Sequence, residues 1–250
     1  MPKPLAGRTI IVTRPKESSG GAAAELERLG ARVVVAPLIR VEPPRTWRPL
    51  DTALRNLCRY DAVVFASVNA VNFFFARLKK RGGPKARSPR IVAAVGRATA
   101  KAVAANGWRC TVIPDDARAA GLAKALRVPR GTSVLIPRAE RGLNTLPRAL
   151  RASGARVTVV AAYRTLPDDK GRRSLRQALA SGADAVCFAS GSAAVQGASD
   201  CALAGAAAVA IGPTTAAALR SNRVLPAAVS KKPDPKSFAR AVVAALRGRP

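Results

Sequence analysis

Gly7-Arg8-Thr9-Ile10-Ile11-Val12-Thr13-Arg14 returns 124 residues later as Gly131-Thr132-Ser133-Val134-Leu135-Ile136-Pro137-Arg138, and the same offset carries Gly30-Ala31-Arg32-Val33 onto Gly154-Ala155-Arg156-Val157. The copies continue in step. Tyr60-Asp61-Ala62-Val63-Val64-Phe65-Ala66-Ser67 recurs as Ala183-Asp184-Ala185-Val186-Cys187-Phe188-Ala189-Ser190, and Val95-Gly96-Arg97-Ala98-Thr99-Ala100 as Ile211-Gly212-Pro213-Thr214-Thr215-Ala216. Two related α/β units in one chain imply a cleft between them, and clefts between domains are where ligands are usually held.

The repeat favours two domains in these 250 residues, each large enough for its own core. Strands are expected at Thr9 to Thr13, Val33 to Ala36, Asp61 to Phe65, Ile91 to Val95, Thr111 to Ile113, Ser133 to Ile136, Val157 to Ala161, Ala185 to Phe188, Ala207 to Ile211 and Ala227 to Val229. Between them, helical patterns run over Ala22 to Leu29, Asn69 to Leu78, Thr99 to Ala105, Leu122 to Leu126, Thr145 to Ala152, Ala193 to Gln196, Thr214 to Leu219 and Pro235 to Leu246. Such alternation predicts an α/β fold of doubly wound parallel sheets with helices on both faces.

Two divisions of the chain compete. One cuts it near residue 128, between the copies. The other reads two Pro-bearing stretches, Pro37-Leu38-Ile39-Arg40-Val41-Glu42-Pro43-Pro44 and Ala161-Ala162-Tyr163-Arg164-Thr165-Leu166-Pro167, as places where the chain crosses from one domain to the other. Residues 45–160 then form one domain, and the two ends close together into the other.

Composition excludes several chemistries. The chain has no His, and its four cysteines, Cys58, Cys110, Cys187 and Cys201, show no Cys-x-x-Cys pairing; His-based metal sites, triads and general bases are ruled out. Cys187 lies within an apolar strand, as a buried structural thiol does. No apolar run approaches the ~20 residues of a membrane span, and Met1-Pro2-Lys3-Pro4-Leu5 leads into a strand without a secretory h-region, so a soluble cytoplasmic protein is expected. The net charge of +29 invites a nucleic-acid reading. Yet Lys and Arg number 9, 10, 9, 7 and 8 in successive blocks of fifty residues, so the excess belongs to the whole surface. The one dense run, Arg77, Lys79, Lys80, Arg81, Lys85, Arg87 and Arg90, surrounds Gly82-Gly83-Pro84 and reads as a solvated connection. Phe73, Phe74 and Phe75 precede it on a predicted helix, where burial explains them better than base stacking.

In open α/β sheets the ligand sits outside the carboxyl ends of the strands. There the repeats place Ser67, its counterparts Ser190 and Ser192, then Thr99, and Thr214 with Thr215. Each precedes or opens a helix, where a hydroxyl can cap the first turn and free amides can bind an anion. Recurrence in both copies points toward a polyanionic ligand. No Gly-x-x-x-x-Gly-Lys-Ser/Thr and no Gly-x-Gly-x-x-Gly is present. Ser18-Ser19-Gly20-Gly21 lacks the lysine of a phosphate loop and reads as a flexible helix start, while Asp61 and Asp184, standing before strands, read as turn residues and not as an acid–base pair.

Taken in order, Val12-Thr13-Arg14-Pro15, Pro37-Leu38-Ile39, Phe65-Ala66-Ser67-Val68-Asn69-Ala70-Val71, Ala94-Val95-Gly96 with Thr99-Ala100, Ile136-Pro137-Arg138-Ala139-Glu140, Tyr163-Arg164-Thr165, Phe188-Ala189-Ser190 and Ala210-Ile211-Gly212-Pro213-Thr214-Thr215-Ala216 resemble the uroporphyrinogen-III synthase family over nearly the whole chain. The resemblance implies the crossed arrangement: residues 1–37 with 168–250 as one domain, 45–160 as the other, and 38–44 and 161–167 as a two-strand linker. It also implies a monomeric, cofactor-independent hydro-lyase that uses no metal. Such an enzyme closes hydroxymethylbilane, a linear tetrapyrrole, into uroporphyrinogen III with inversion of ring D and loss of water; hydroxymethylbilane synthase is its candidate transient partner. By position, Tyr163 matches the family's linker tyrosine and is the candidate acid. Ser67, Val68, Asn69, Thr99, Ser190, Gly191, Ser192, Thr214 and Thr215 match its cleft-lining segments, and Arg14 and Arg138 sit at strand ends within reach of substrate carboxylates. The chain departs from the family at Ala189 and Gly191, where Thr and Pro are frequent, and within Glu140-Arg141-Gly142-Leu143-Asn144. The competing reading is a non-catalytic tetrapyrrole-binding or nucleic-acid-binding protein that keeps the fold.

Overall fold

The computed structural model of the chain describes residues 3–14, 21–82, 88–116, 119–198 and 203–248. Ser18, Ser19 and Gly20 of the Gly-rich stretch, Gly83, Pro84, Lys85 and Arg87 of the basic run, and Cys201 lie outside them. The strands are β1 (Thr9–Val12), β2 (Arg32–Val35), β3 (Ile39–Glu42), β4 (Ala62–Phe65), β5 (Ile91–Ala94), β6 (Ser133–Ala139), β7 (Arg156–Pro167), β8 (Ala185–Phe188), β9 (Ala207–Ala210) and β10 (Ala228–Val229). The helices are α1 (Ala22–Arg28), α2 (Arg48–Arg55), α3 (Val68–Lys80), α4 (Arg97–Ala105), α5 (Ala119–Ala125), α6 (Thr145–Ala152), α7 (Asp169–Ala180), α8 (Gly191–Ala198), α9 (Pro213–Ser221) and α10 (Pro235–Leu246).

Two compact units form, residues 1–40 with 166–250 and residues 41–165. The sheet of the first has the order β10-β9-β8-β1-β2, and that of the second β5-β4-β6-β7-β3. The duplicated sequence explains this correspondence: β8 and β9 repeat β4 and β5, and β6 and β7 repeat β1 and β2. Each sheet therefore draws strands from both copies, and the copies meet at its centre, where β1 runs parallel to β8 and β6 parallel to β4. The central strands β4, β8 and β9 are buried along their whole length, because helices cover both faces of a parallel sheet.

Asp61 and Asp184 fasten those central pairs at their amino ends. Asp184 accepts the Thr9 amide at 2.7 Å through one carboxylate oxygen and the Arg8 guanidinium at 2.7 Å through the other. Asp61 accepts the Ser133 amide at 2.8 Å. Their role is thus structural, as the sequence suggests, but it acts across copies and not within a turn.

Several elements differ from expectation. The predicted strand Thr111 to Ile113 is reduced to a single bridge between Ala93 and Val112. The Thr111 hydroxyl accepts the Val92 amide at 3.2 Å, occupying a backbone position of the ladder, and Pro114 follows directly. Strand β7 runs on past Ala161 to Pro167 because its far half gains β3 as a neighbour. Arg164 bonds Glu42 at 2.8 Å and Arg40 bonds the Pro167 carbonyl at 3.3 Å; partners that ascend on one strand descend on the other, as in an antiparallel pair. Helices α2 and α7 fill segments with no predicted structure. Asp168 caps α7 by accepting the Lys170 and Gly171 amides at 3.0 and 3.1 Å.

The crossing segments are anchored in the cores. Leu38 is fully buried beside Phe188, Leu175 and Ala194 in the first unit, while Ala162 and Tyr163 are buried with Phe65, Phe74 and Trp108 in the second. Burying a side chain the size of Leu38 stabilises by about 1.5–3 kcal/mol. Gly171 lets α7 approach the Pro37 carbonyl so closely that any β-carbon would overlap it. Phe74 and Phe75 belong to the core as expected, packed edge-on against Trp108 with centroids 5.7 and 4.9 Å away.

Candidate functional site

In the second unit, the turn after β4 and the middle of β7, level with the carboxyl end of β6, bring Ser67 and Tyr163 together. Ser67, two residues past β4 and extended in backbone, caps α3, its hydroxyl oxygen accepting the Ala70 amide at 3.1 Å. The same oxygen lies 3.1 Å from the Tyr163 hydroxyl. Tyr163 occupies the register position opposite Ala139, beside a bulge at Arg138 and Ala139; bulges recur where a strand must re-aim a side chain. The Glu140 amide then donates to the Tyr163 carbonyl at 2.7 Å, closing the bulge on the tyrosine.

A stack of aromatic rings fixes the phenol from behind. Phe73 of α3 lies nearly parallel to Tyr163, with centroids 5.8 Å apart, and Trp47 follows at 6.4 Å from Phe73. Arg77 lies over the Trp47 ring at 4.9 Å and makes a two-pronged bond to Asp51 at 2.7 and 2.6 Å. That bond holds the Asp51 carboxyl below the usual carboxylate range, against the opposing effect of partial burial, and raises Arg77 in turn. Sequence alone assigns Trp47 no role and Phe73 only a place in the core, because the stack joins rings from segments far apart in the chain.

Of the other predicted residues in this unit, Val68 and Asn69 open α3, half-buried and exposed. Thr99 does not cap α4. Gly96 stands at the cap in extended conformation with no side-chain bond, and Thr99, two residues inside the helix start, is 4% exposed. Arg138 is partly committed, donating to the Leu143 carbonyl at 2.7 Å and so holding the 140–144 loop.

The first unit repeats the pattern with different detail. Ser190 accepts the Ala193 amide at 3.2 Å and sits 3.4 Å from Ser192, with Gly191 between them at the start of α8. Gly212 heads α9 without a side-chain cap, and a β-carbon there would meet nothing within 4 Å. Thr214 is exposed, whereas Thr215 is 4% exposed and faces inward. Hydroxyl capping thus holds for Ser67 and Ser190, whereas Ser192 lies one residue inside α8, and glycines take the cap position before Thr99 and Thr214. The first-turn amides of α4 and α9 consequently have no side-chain acceptor at the cap, and such amides favour anions. Arg14 lines a cavity of about 160 Å³ with Val12, Ala189, Ile211, Asp234 and Phe238. Protein crowding withdraws water from its guanidinium and lowers its pKa, but an arginine keeps its charge.

Cys187 is fully buried, and burial pushes its thiol up to about 12, which leaves it inert as a nucleophile. Among the described residues no helix is long and apolar enough to cross a membrane.

Residues 21–240 match the family model described as "Uroporphyrinogen-III synthase HemD". A uroporphyrinogen-III synthase of Synechococcus elongatus is 35% identical over 174 residues, 67% of this chain and 66% of that protein. That of Chlorobaculum parvum is 27% identical over 250 residues, 96% of this chain and all of its own length. A porphyrin biosynthesis protein HemD of Ruminiclostridium josui is 34% identical over 168 residues, 66% of this chain but only 33% of that longer protein. Among solved structures, a mutant uroporphyrinogen III synthase of Thermus thermophilus superposes with a TM-score of 0.70 at 23% identity, covering 96% of this chain and 99% of that one. The Helicobacter pylori uroporphyrinogen-III synthetase superposes at 0.60 with 18% identity, covering 93% and 97%; at such identities the likeness concerns the fold. With the family model spanning most of its length, the chain belongs to the uroporphyrinogen-III synthase family.

Proposed function

We propose that this chain converts hydroxymethylbilane into uroporphyrinogen III, closing the ring with inversion of ring D and releasing water. The observation that carries this reading is the Tyr163 hydroxyl, held at the carboxyl end of its sheet by Ser67 and by the ring of Phe73. The substrate's acetate and propionate arms need anion-binding groups. Arg14, the α4 and α9 amino ends, and Ser190, Ser192 and Thr214 supply them in the two units. Val68 and Asn69 at the start of α3 and Gly191 at the start of α8 line the site in this reading, and the buried Thr99 and Thr215 support the first turns of α4 and α9 from within.

The chemistry asks for a positioned acid and a folded substrate. Departure of hydroxide from the hydroxymethyl carbon is assisted when Tyr163 donates its proton to the leaving oxygen. Ring D must then attack through a spiro intermediate before simple head-to-tail closure intervenes, and holding the chain bent gives inversion its advantage. In this reading the two compact units are the domains, joined through 38–44 and 161–167. The enzyme acts as a monomer in the cytoplasm, receiving its substrate by transient contact with hydroxymethylbilane synthase.

The test supplies freshly generated hydroxymethylbilane and resolves the oxidised products by chromatography. Excess type III isomer is expected; type I alone, at the rate of the uncatalysed control, overturns the reading and leaves a tetrapyrrole carrier.

A further inference from the structure

Ser67 and Tyr163 come from segments 96 positions apart, and folding sets their oxygens 3.1 Å from one another. A serine hydroxyl offers one proton and two lone pairs. One lone pair is taken, because the Ala70 amide donates to it at 3.1 Å. Toward Tyr163, Ser67 therefore has its second lone pair or its proton. While the phenol keeps its hydrogen, either oxygen can donate. Once that hydrogen has gone to a leaving group the phenolic oxygen can only accept, and the bond persists with Ser67 as donor.

The surroundings suit that second state. The Ser67 oxygen is bonded to the first turn of α3, a helix of 13 residues whose amino end carries a partial positive charge. An amide donating to a hydroxyl that donates to a phenolic oxygen forms a chain in which each bond polarises the next. Tyr163 is 8% exposed and its ring is stacked on Phe73, so negative charge on it depends on such fixed donors for stabilisation.

We infer that Ser67 is a positioning residue that works through Tyr163, turning its hydroxyl proton onto the phenolic oxygen as that oxygen gives up its own. The inference rests on the reading of Tyr163 as the acid, and it removes Ser67 from the set that grips substrate directly. The step balances. The carbon–oxygen bond of the hydroxymethyl group breaks with its electron pair on oxygen, the Tyr163 proton joins that oxygen, and water departs. The phenolate, held by Ser67, later takes back the proton that the terminal ring carbon loses when the macrocycle closes.

Five variants decide it, assayed in the intact chain with fresh hydroxymethylbilane. Ser67→Ala lowers kcat about ten- to a hundredfold with KM unchanged to within about twofold. Ser67→Asp still accepts the Ala70 amide and remains a good cap, so its thermal midpoint stays near that of the unmodified chain. It has no proton to give the phenolate, however, and its kcat falls at least as far as that of Ser67→Ala. Ser67→Thr keeps cap and donor and recovers kcat to within about threefold of the parent. In a Tyr163→Phe background, adding Ser67→Ala lowers kcat no further, as expected when one residue acts through the other.

Parent-like turnover in Ser67→Asp, or a full further loss on top of Tyr163→Phe, overturns the role of Ser67 while leaving Tyr163 as the acid. Unchanged turnover in Tyr163→Phe itself removes both readings at once.

Discussion

Asp61 and Ser133, 72 positions apart, bond each other twice: the Asp61 carboxylate accepts the Ser133 amide at 2.8 Å, and the Asp61 amide donates to the Ser133 carbonyl at 2.9 Å. Asp184 and Thr9 do the same in the other unit. Replacing either aspartate by Ala removes the acceptor of a strand amide, which costs about 0.5–1.5 kcal/mol at these exposed and partly buried positions. Asp61→Ala is expected to lower the denaturant midpoint followed by tryptophan fluorescence, since Trp47 and Trp108 both lie within residues 41–165. Asp184→Ala is expected to lower the midpoint followed by circular dichroism. Unmoved midpoints in both would show that these carboxylates are dispensable.

Asp51 links pH to the support behind Tyr163. Its carboxyl is held below its ordinary value by the Arg77 hydrogen bonds, so the unfolded chain binds that proton more readily than the folded one. The stabilisation is present above an unfolded value of about 3.9 and is lost as pH falls through the lower folded value. Thermal melts of Asp51→Asn between about pH 2 and 6 should show lower stability at pH 6 and a shallower decline below about pH 4 than the parent. Parallel curves for the two proteins would contradict this.

Arg14 and Arg138 are repeat counterparts with different surroundings. Arg138 is tied to the Leu143 carbonyl and holds a loop on which the Leu143 side chain is 78% exposed, whereas Arg14 faces the 160 Å³ cavity. Arg14→Gln is expected to raise KM about tenfold, equivalent to about 1.4 kcal/mol, with little change in loop protection. Arg138→Gln is expected to speed limited proteolysis within 140–144 more than it raises KM. The reverse pattern would exchange their roles.

Gly171 meets the Pro37 carbonyl where α7 begins. Gly171→Ala forces backbone from backbone and should destabilise by about 2 kcal/mol or more, a fall of at least about 4 °C in Tm. An unchanged Tm would mean that the approach relaxes at no cost.

The repeat was legible because parallel strands buried on both faces are short apolar runs, and Val63-Val64-Phe65 and Val186-Cys187-Phe188 survive duplication as such. Helix α7 was not. Its buried residues, Gly171, Leu175, Ala178 and Leu179, form a one-sided stripe in a segment dominated by charge, and Gly171 is a poor helix former whose presence reflects packing. Strand β3 entered only through the resemblance, as part of the two-strand linker, and no local pattern marks it, since its polar Arg40 and Glu42 find partners on the distant β7. At the site, the serine caps at Ser67 and Ser190 were readable, but the caps before Thr99 and Thr214 were not, because glycine with an extended backbone at Gly96 and Gly212 carries no sequence mark of its own. The Ser67–Tyr163 bond joins distant segments and depends on a bulge, which no local pattern reports.

The interleaving of the two copies sets an order for synthesis. A ribosome that has just finished the first copy has delivered β1 and β4, whose central neighbours β8 and β6 have not yet been translated. The unit spanning 41–165 is complete in sequence before the last third of the chain exists, whereas β1 waits for β8 across 174 residues, the separation of Thr13 from its partner Cys187. Severing the gene between the copies would therefore yield two fragments that each lack half of both sheets, and they would have to be co-expressed to assemble.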